Sequence, residues 1–458
     1  MKIADNTFKS YDIRAIYPTD INEELVYKVA QGYVKKFNPK KVVVGRDVRE
    51  SGPQLMKATI KGFTEAGVDV IDIGVVSTDM FYFAVGELPV DGGVTLSASH
   101  NPREWNGMNF CKKGAEPVSL EGGLGEIRDM LLQDVEMDFG DVSPGTVEQI
   151  NVMDDFIRRV TSFVDYRKFK PMKVVADPNF GMGGQILRRA VELLNLPLDV
   201  TYINGDPDGT FPKGHPNPLL PERRKELSET VVEKNADFGV AWDADGDRVF
   251  FVDETGHFIE GYFTTALIAT ELLKHKPGGK VLIDPRLVWA TTDAITQAGG
   301  QVIVTKPGMT LIADRMKKED AIFAGEMSSH FYFPENYYRD NGFIPLFLVL
   351  EMMNTYNKKL SELIAPHMQK YFISGELNFN TERKDEIIEA IKEKYHDGTQ
   401  EFIDGLSVAY DQWRFNVRKS NTENLLRLNL EAKSKEEMEK RRDEVVSLIT
   451  SMGGVAGH

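Results

Sequence analysis

Lys41-Val-Val-Val-Gly-Arg-Asp47, Lys173-Val-Val-Ala-Asp-Pro-Asn179 and Lys280-Val-Leu-Ile-Asp-Pro-Arg286 are one pattern written three times. Each is a short apolar run rich in β-branched residues that ends in an aspartate with a basic or amide residue beside it. Each leads into a stretch with apolar residues at three- and four-residue spacing, over 54–66, 185–194 and 287–298, which predicts a helix. Second strands follow at 68–73, 198–203 and 301–305, and after another helix third strands begin near Gly93, Phe238 and Ile322. Strand, helix, strand, helix, strand, three times over, predicts parallel or mixed sheets covered by helices on both faces.

The pattern changes after 364–367. Residues 368–458 hold strands at 372–377, 406–410, 413–417 and 425–430, and charged amphipathic helices at 383–394 and 435–452. This predicts a smaller α+β domain with its own sheet. The length of 458 residues agrees, since cores stop growing beyond a few hundred residues and chains divide into domains of about 100–150 each.

A formal net charge of −15 with no long Lys/Arg stripe argues against a nucleic-acid partner, whose phosphate backbone requires a basic face. No apolar run approaches the ~20 residues of a membrane span, and Met1-Lys-Ile-Ala-Asp5 lacks the apolar core of a signal peptide. The expected location is the cytoplasm. One cysteine, Cys111, excludes an internal disulfide framework and fits a reducing compartment. Its setting in Asn109-Phe-Cys-Lys-Lys113 reads as a half-buried strand residue more readily than as a reactive thiol.

In open α/β sheets ligands sit at the carboxyl ends of strands. The third strands end at three different polar motifs: Ser97-Ala-Ser-His-Asn-Pro102, Asp243-Ala-Asp-Gly-Asp-Arg248 and Gly325-Glu-Met-Ser-Ser-His330. A single cleft where the domains meet would gather them. Pro102 and the Asn106-Gly107 step force a tight course that exposes Ser99 beside His100, although a plain polar turn has the same composition. Three carboxylates at Asp243, Asp245 and Asp247 repel strongly without a cation. The rival readings are a solvated acidic turn and a calcium loop; the latter needs Gly where Arg248 stands and helical flanks where strands are expected. Arg248 suits a phosphate clamp, because its charge is permanent and its fork matches phosphate oxygens. Glu326 and Ser328 offer what vicinal sugar hydroxyls want, as would a satisfied strand-end network. Arg418-Lys-Ser-Asn-Thr422 reads as a nest for a phosphate that is held, or as a surface turn. A hydroxyl beside a carboxylate triad and an arginine points to phosphoryl transfer, which needs a divalent cation against anionic repulsion.

Taken in order, Phe8-Lys-Ser-Tyr-Asp-Ile-Arg14, 97–102, 243–248, 325–330 and 418–422 resemble the α-D-phosphohexomutase family, within it the bacterial phosphomannomutase/phosphoglucomutase group. The resemblance spans nearly the whole chain. It implies an α/β protein of three similar domains with mixed sheets, at 1–147, 148–254 and 255–366, plus the α+β domain at 367–458, around a central cleft. It implies Ser99 carried as phosphoserine with His100 and Arg248 as catalytic partners, and Mg2+ on Asp243, Asp245 and Asp247 together with that phosphoserine. Glu326, Ser328 and His330 would meet the sugar, and Arg418, Ser420, Asn421 and Thr422 the non-reacting phosphate. Tyr11 and Arg14 would line the approach, with Lys306 near the substrate.

The implied reaction interconverts hexose 6- and 1-phosphates, mannose foremost, through a hexose 1,6-bisphosphate that is both intermediate and activator. The enzyme would be a phosphoprotein isomerase of carbohydrate metabolism, a monomer or weak homodimer acting on small molecules, with neither nucleic acid nor membrane as partner. Two departures remove ionisable groups: Asn109 stands where the family pattern has lysine and Met309 where it has histidine. Ala15, Ser329 and Asn424 also depart, as loop variation. A mutase for glucose or another sugar phosphate, or an impaired paralogue that only binds sugar phosphates, therefore stays open. Lys112 or Lys113 would compensate for Asn109 only if strand alternation turned one inward.

Overall fold

The computed structural model describes residues 3–4, 6–420 and 425–457. They divide into two units, Met1–Ile259 with His330–Leu360, and Glu260–Ser329 with Ser361–His458.

The first unit holds two of the predicted sheets. In one, the strand Lys41–Arg46 lies parallel between Asp69–Val75 and Gly92–Leu96. Helices Glu23–Phe37 and Gly52–Glu65 bury Leu25, Val29, Leu55 and Phe63 in the core of this domain. Asn22 starts the first of them by accepting the Leu25 N–H at 3.0 Å, satisfying one of the donors a helix start leaves open. The sheet then turns antiparallel: Gly92–Leu96 pairs with Trp105–Lys112, which pairs with Asp12–Ile16. The second sheet runs Phe258–Ile259, Val249–Asp253, Phe238–Trp242, Met172–Asp177, Leu198–Tyr202. Its core strand Met172–Asp177 is parallel to both neighbours, and Val249–Asp253 returns antiparallel.

In the second unit Lys280–Ile283 lies parallel between Gln301–Val304 and Ala321–Gly325. A separate antiparallel sheet joins Thr399–Glu401, Leu406–Ala409, Trp413–Lys419, Leu425–Ala432, Phe372–Asn380 and Val455–Gly457. Helices Lys384–Lys394 and Lys435–Ser451 contribute Ile387, Ile391, Val445 and Ile449 to its core, as their spacing predicts.

The expected mixed sheets and the final sheet of its own are therefore present, with the ends of strands and helices shifted by a few residues. Cys111 differs: both faces of its strand are covered, so the thiol is fully buried and burial pushes it up to about 11. No helix of the described residues is long and apolar enough to cross a membrane.

Candidate active site

The strand Gly92–Leu96 is buried throughout and delivers the chain into the turn at Ser97. Ser97 Oγ accepts the Ser99 N–H at 2.9 Å, and the Asn101 N–H bonds back to Ala98 O at 3.0 Å. Ser99 adopts φ +49°, a left-handed conformation that residues with a Cβ seldom take. The turn places Ser99 Oγ 3.1 Å from His100 Nδ1 and 3.4 Å from Asp243 Oδ2. Arg14 reaches the same turn, donating to Asn101 Oδ1 at 3.0 Å and to Asp12 Oδ2 at 2.6 Å. It arrives because Arg14 registers opposite Gly107, where an added Cβ would stand 2.2 Å from Ile13 O. Tyr11 precedes this strand, partly buried.

Phe238–Trp242 and Val249–Asp253 form an antiparallel pair, so the calcium-loop reading with helical flanks is excluded. The connecting turn needs Gly246, at φ +77°. It folds back far enough that Asp243, Asp245 and Asp247, all buried, offer ligand atoms within 4.8 Å of one another. A solvated acidic turn is excluded too. Arg248 Nε donates to Asp243 Oδ2 at 2.7 Å, and Thr78 Oγ1 to Asp245 Oδ2 at 2.8 Å. Burial and Asp245 raise the pKa of Asp243 above the usual carboxylate range, and Arg248 beside it opposes them. Burial and the neighbouring carboxylates push Asp247 well above the usual carboxylate range.

Buried Asp245 Oδ1 and Asp247 Oδ1 accept no hydrogen bond, and Arg248 Nη2 makes none. Burying such groups unpaired is costly. Hard carboxylate oxygens converging in this way fit a divalent cation, and the arginine nitrogen fits a phosphoryl oxygen. His330 stands close to this turn: its Nε2 is 3.9 Å from Asp247 Oδ1 and 3.9 Å from Asp340 Oδ2.

The second unit builds a different polar cluster. Ala321–Gly325 delivers Glu326 and Ser328, whose Oγ donates to Glu326 Oε2 at 3.1 Å. Arg286 Nη2 lies 3.4 Å from both Glu326 Oε2 and Ser328 Oγ. Arg286 Nη1 and Arg418 Nη2 each stand 3.8 Å from Glu376 Oε2, and Arg427 Nη1 is 3.2 Å from Glu376 Oε1. Three guanidinium groups therefore share one carboxylate. Burial lowers the pKa of Arg418, as does Arg286 beside it, while Glu376 and Asp404 oppose the shift. Arg418 Nε is buried without a hydrogen bond. The Ser420 N–H bonds to Leu425 O at 2.8 Å. Asn421 and Thr422 lie outside the described residues, and Lys306 is exposed in the loop after Gln301–Val304.

Sequence reasoning missed Arg286, Glu376 and Arg427; the only signal was the basic residue closing the third repeat of the opening pattern. It also missed what surrounds Asn109. Asn109 Nδ2 donates to Tyr82 Oη at 3.0 Å, and the fully buried Arg339 guanidinium lies 3.7 Å from the centre of the Tyr82 ring. Lys112 pairs instead with Glu116 at 2.5 Å, and Lys113 is exposed, so neither turns inward to replace a missing lysine.

The chain matches four consecutive descriptions of one family. Residues 5–129, 154–256 and 260–371 match "Phosphoglucomutase/phosphomannomutase, alpha/beta/alpha domain" I, II and III, and 376–448 match its "C-terminal domain". A phosphomannomutase of Salmonella montevideo is 38% identical over 450 residues, covering 97% of this chain and 99% of its own. A protein of Xanthomonas campestris pv. campestris named "Phosphohexose mutases" is 40% identical over 449 residues, covering 96% and 98%. The crystal structure of a phosphoglucomutase/phosphomannomutase family protein from Burkholderia thailandensis superposes with a TM-score of 0.86 at 27% identity, covering 100% of both chains. The chain belongs to the phosphoglucomutase/phosphomannomutase family and is a hexose-phosphate mutase, an isomerase of carbohydrate metabolism.

Proposed function

We propose that this mutase interconverts mannose 6-phosphate and mannose 1-phosphate, with Ser99 as the phosphoryl carrier and a mannose 1,6-bisphosphate as the intermediate. The carrying observation is Ser99 Oγ 3.4 Å from Asp243, beside buried carboxylate oxygens that accept nothing. Mannose is the sugar in the names of the relatives from Salmonella and Escherichia.

Asp243, Asp245 and Asp247 would hold Mg2+, together with an oxygen of the phosphoserine. When bound, the ion supplies charge neutralisation at the phosphoryl oxygens. A phosphoserine brings about −1.5 to −2 charge at neutral pH, so unscreened aspartates would expel it. Arg248 Nη2 offers a further donor to that group. In the first transfer the free sugar hydroxyl attacks phosphorus and the bond to Ser99 Oγ breaks. The sugar hydroxyl loses one proton and Ser99 Oγ gains one; His100, 3.1 Å from Oγ, is placed to hand it over. The bisphosphate then reverses end for end, and its other phosphate returns to Ser99 by the same steps run backwards.

Glu326 and Ser328 are suited to the 3- and 4-hydroxyls, which lie between the exchanging ends and serve both orientations. Arg418, with Ser420, Asn421 and Thr422, would hold the phosphate that is not reacting. Tyr11, Arg14, Lys306 and His330 would complete the substrate contacts. Assaying the purified protein on mannose 1-phosphate and glucose 1-phosphate, with Mg2+ and a trace of bisphosphate, tests this reading. A higher kcat/KM for mannose supports it, and conversion of neither sugar would overturn it.

A further inference from the structure

Each first strand of the three repeats ends in the same small device: Asp47-Val-Arg49, Asp177-Pro-Asn179 and Asp284-Pro-Arg286. In all three the aspartate accepts the backbone N–H two residues on, at 2.9 Å each time. All six side chains are buried. The third residue's side chain then crosses to the end of the third strand of its own repeat or to the loop after it. Asn179 Nδ2 donates to Trp242 O at 2.9 Å, immediately before the aspartate turn. Arg286 Nη2 stands 3.4 Å from Glu326 Oε2 and Ser328 Oγ.

Arg49 takes this furthest. Its Nε donates to Asp47 Oδ2 at 3.0 Å. Its Nη1 donates to Pro102 O at 2.6 Å and Trp105 O at 3.0 Å, and its Nη2 to Ser99 O and Asn101 O, both at 2.7 Å. A guanidinium has five N–H donors in a rigid fork, and all five are engaged. Three of them end on carbonyls of the turn that carries Ser99, and a fourth on Trp105, where the next strand begins.

We propose that Arg49, Asn179 and Arg286 are equivalent positioning residues, and that Arg49 holds Ser99 in its reactive conformation. The last clause rests on Ser99 being the phosphoryl carrier. Ser99 sits at φ +49°, a conformation that residues with a Cβ seldom take, and its own carbonyl is anchored on the buried guanidinium. Arg49 touches no reacting atom and acts through the turn alone. Lysine cannot take its place, because a single ammonium cannot meet Asp47 and four separated carbonyls.

The test compares the full-length wild type with Arg49→Lys and Asp47→Asn. Backbone amide exchange, without substrate, is expected to quicken about tenfold over 98–105 in Arg49→Lys while the strand Lys41–Arg46 keeps its protection. Phosphoryl uptake by Ser99 from a hexose 1,6-bisphosphate, per folded molecule, should fall about 10²-fold, the usual cost of a misplaced reacting group, with KM changed less than about twofold. Arg286→Lys should mainly raise KM instead. Wild-type exchange and transfer in Arg49→Lys, or loss of protection spread evenly over the domain, overturns the proposal. If Arg49→Lys does not fold, Asp47→Asn is read the same way, and an unchanged turn overturns it. A wild type that takes up no phosphoryl group would refute the role of Ser99, and the exchange comparison would still decide the role of Arg49.

Discussion

Ser99 Oγ lies 3.4 Å from Asp243 Oδ2, although the two are 144 residues apart in the chain. The hydroxyl and the carboxylate turn thus form one centre, and the turn must bind a cation if that hydroxyl carries a phosphate. Asp245 supplies one of the unsatisfied buried oxygens. Asp245→Asn is expected to weaken Mg2+ binding and to lower the rate with it, since a neutral amide replaces one of three anionic ligands. Titration calorimetry with Mg2+ checks this. Unchanged affinity would return the turn to a purely structural role.

Arg418→Ala should raise KM for hexose phosphates more than it lowers kcat. A clamp on the non-reacting phosphate acts alike in ground and transition states, so its loss appears as uniform binding. Steady-state kinetics on both substrates decides it, and a fall in kcat at constant KM would argue against the role.

Asn109→Lys restores the family residue, but the structure predicts no gain. The fully buried Arg339 cation already faces Tyr82, the ring whose hydroxyl Asn109 holds. A second cation beside it adds like-charge repulsion in a low-dielectric setting. The expected result is a lower Tm and an unchanged or lower kcat, measured by thermal unfolding and by assay. A clear rise in kcat would show that the lysine's loss had impaired the enzyme.

His367, in the second unit, provides a pH handle. Burial, and secondarily the charge of Lys370, lowers its pKa to about 4, whereas an unfolded histidine titrates near 6.5. Below pH ~6.5 the unfolded chain binds a proton that the folded chain refuses, so this group erodes stability as pH falls from about 6.5 to 4. His367→Gln should therefore lose less Tm than the wild type between pH 7 and pH 4.5. Parallel Tm curves would contradict a half-buried imidazole held uncharged.

The chemistry-bearing loops were legible because each is contiguous: Ser97–Pro102, Asp243–Arg248 and Gly325–His330 each follow a strand whose apolar run is unmistakable. What escaped depends on distant pairing. Nothing local to Arg14 says that Asp12–Ile16 will lie antiparallel to Trp105–Lys112 and carry it to Asn101. Tyr82 and Arg339 carry no motif, yet burial brings them together. That Asp243, Asp245 and Asp247 converge depends on the positive φ of Gly246, which no spacing of carboxylates in the sequence announces. Arg49 lies two residues beyond the repeated run that ends at Asp47, and its five hydrogen bonds appear only when the loop it serves is in place.

Ser99 as phosphoryl carrier is tested most directly by mixing the protein with a labelled hexose 1,6-bisphosphate and Mg2+ and mapping the labelled peptide. The account predicts label on Ser99 in the wild type, released to mannose 6-phosphate or mannose 1-phosphate as mutase product. It predicts neither label nor turnover in Ser99→Ala, whose fold should persist because the lost hydroxyl contributes about 0.5–1.5 kcal/mol at most. Mutase turnover in Ser99→Ala at the wild-type rate, or label on another residue, would contradict it.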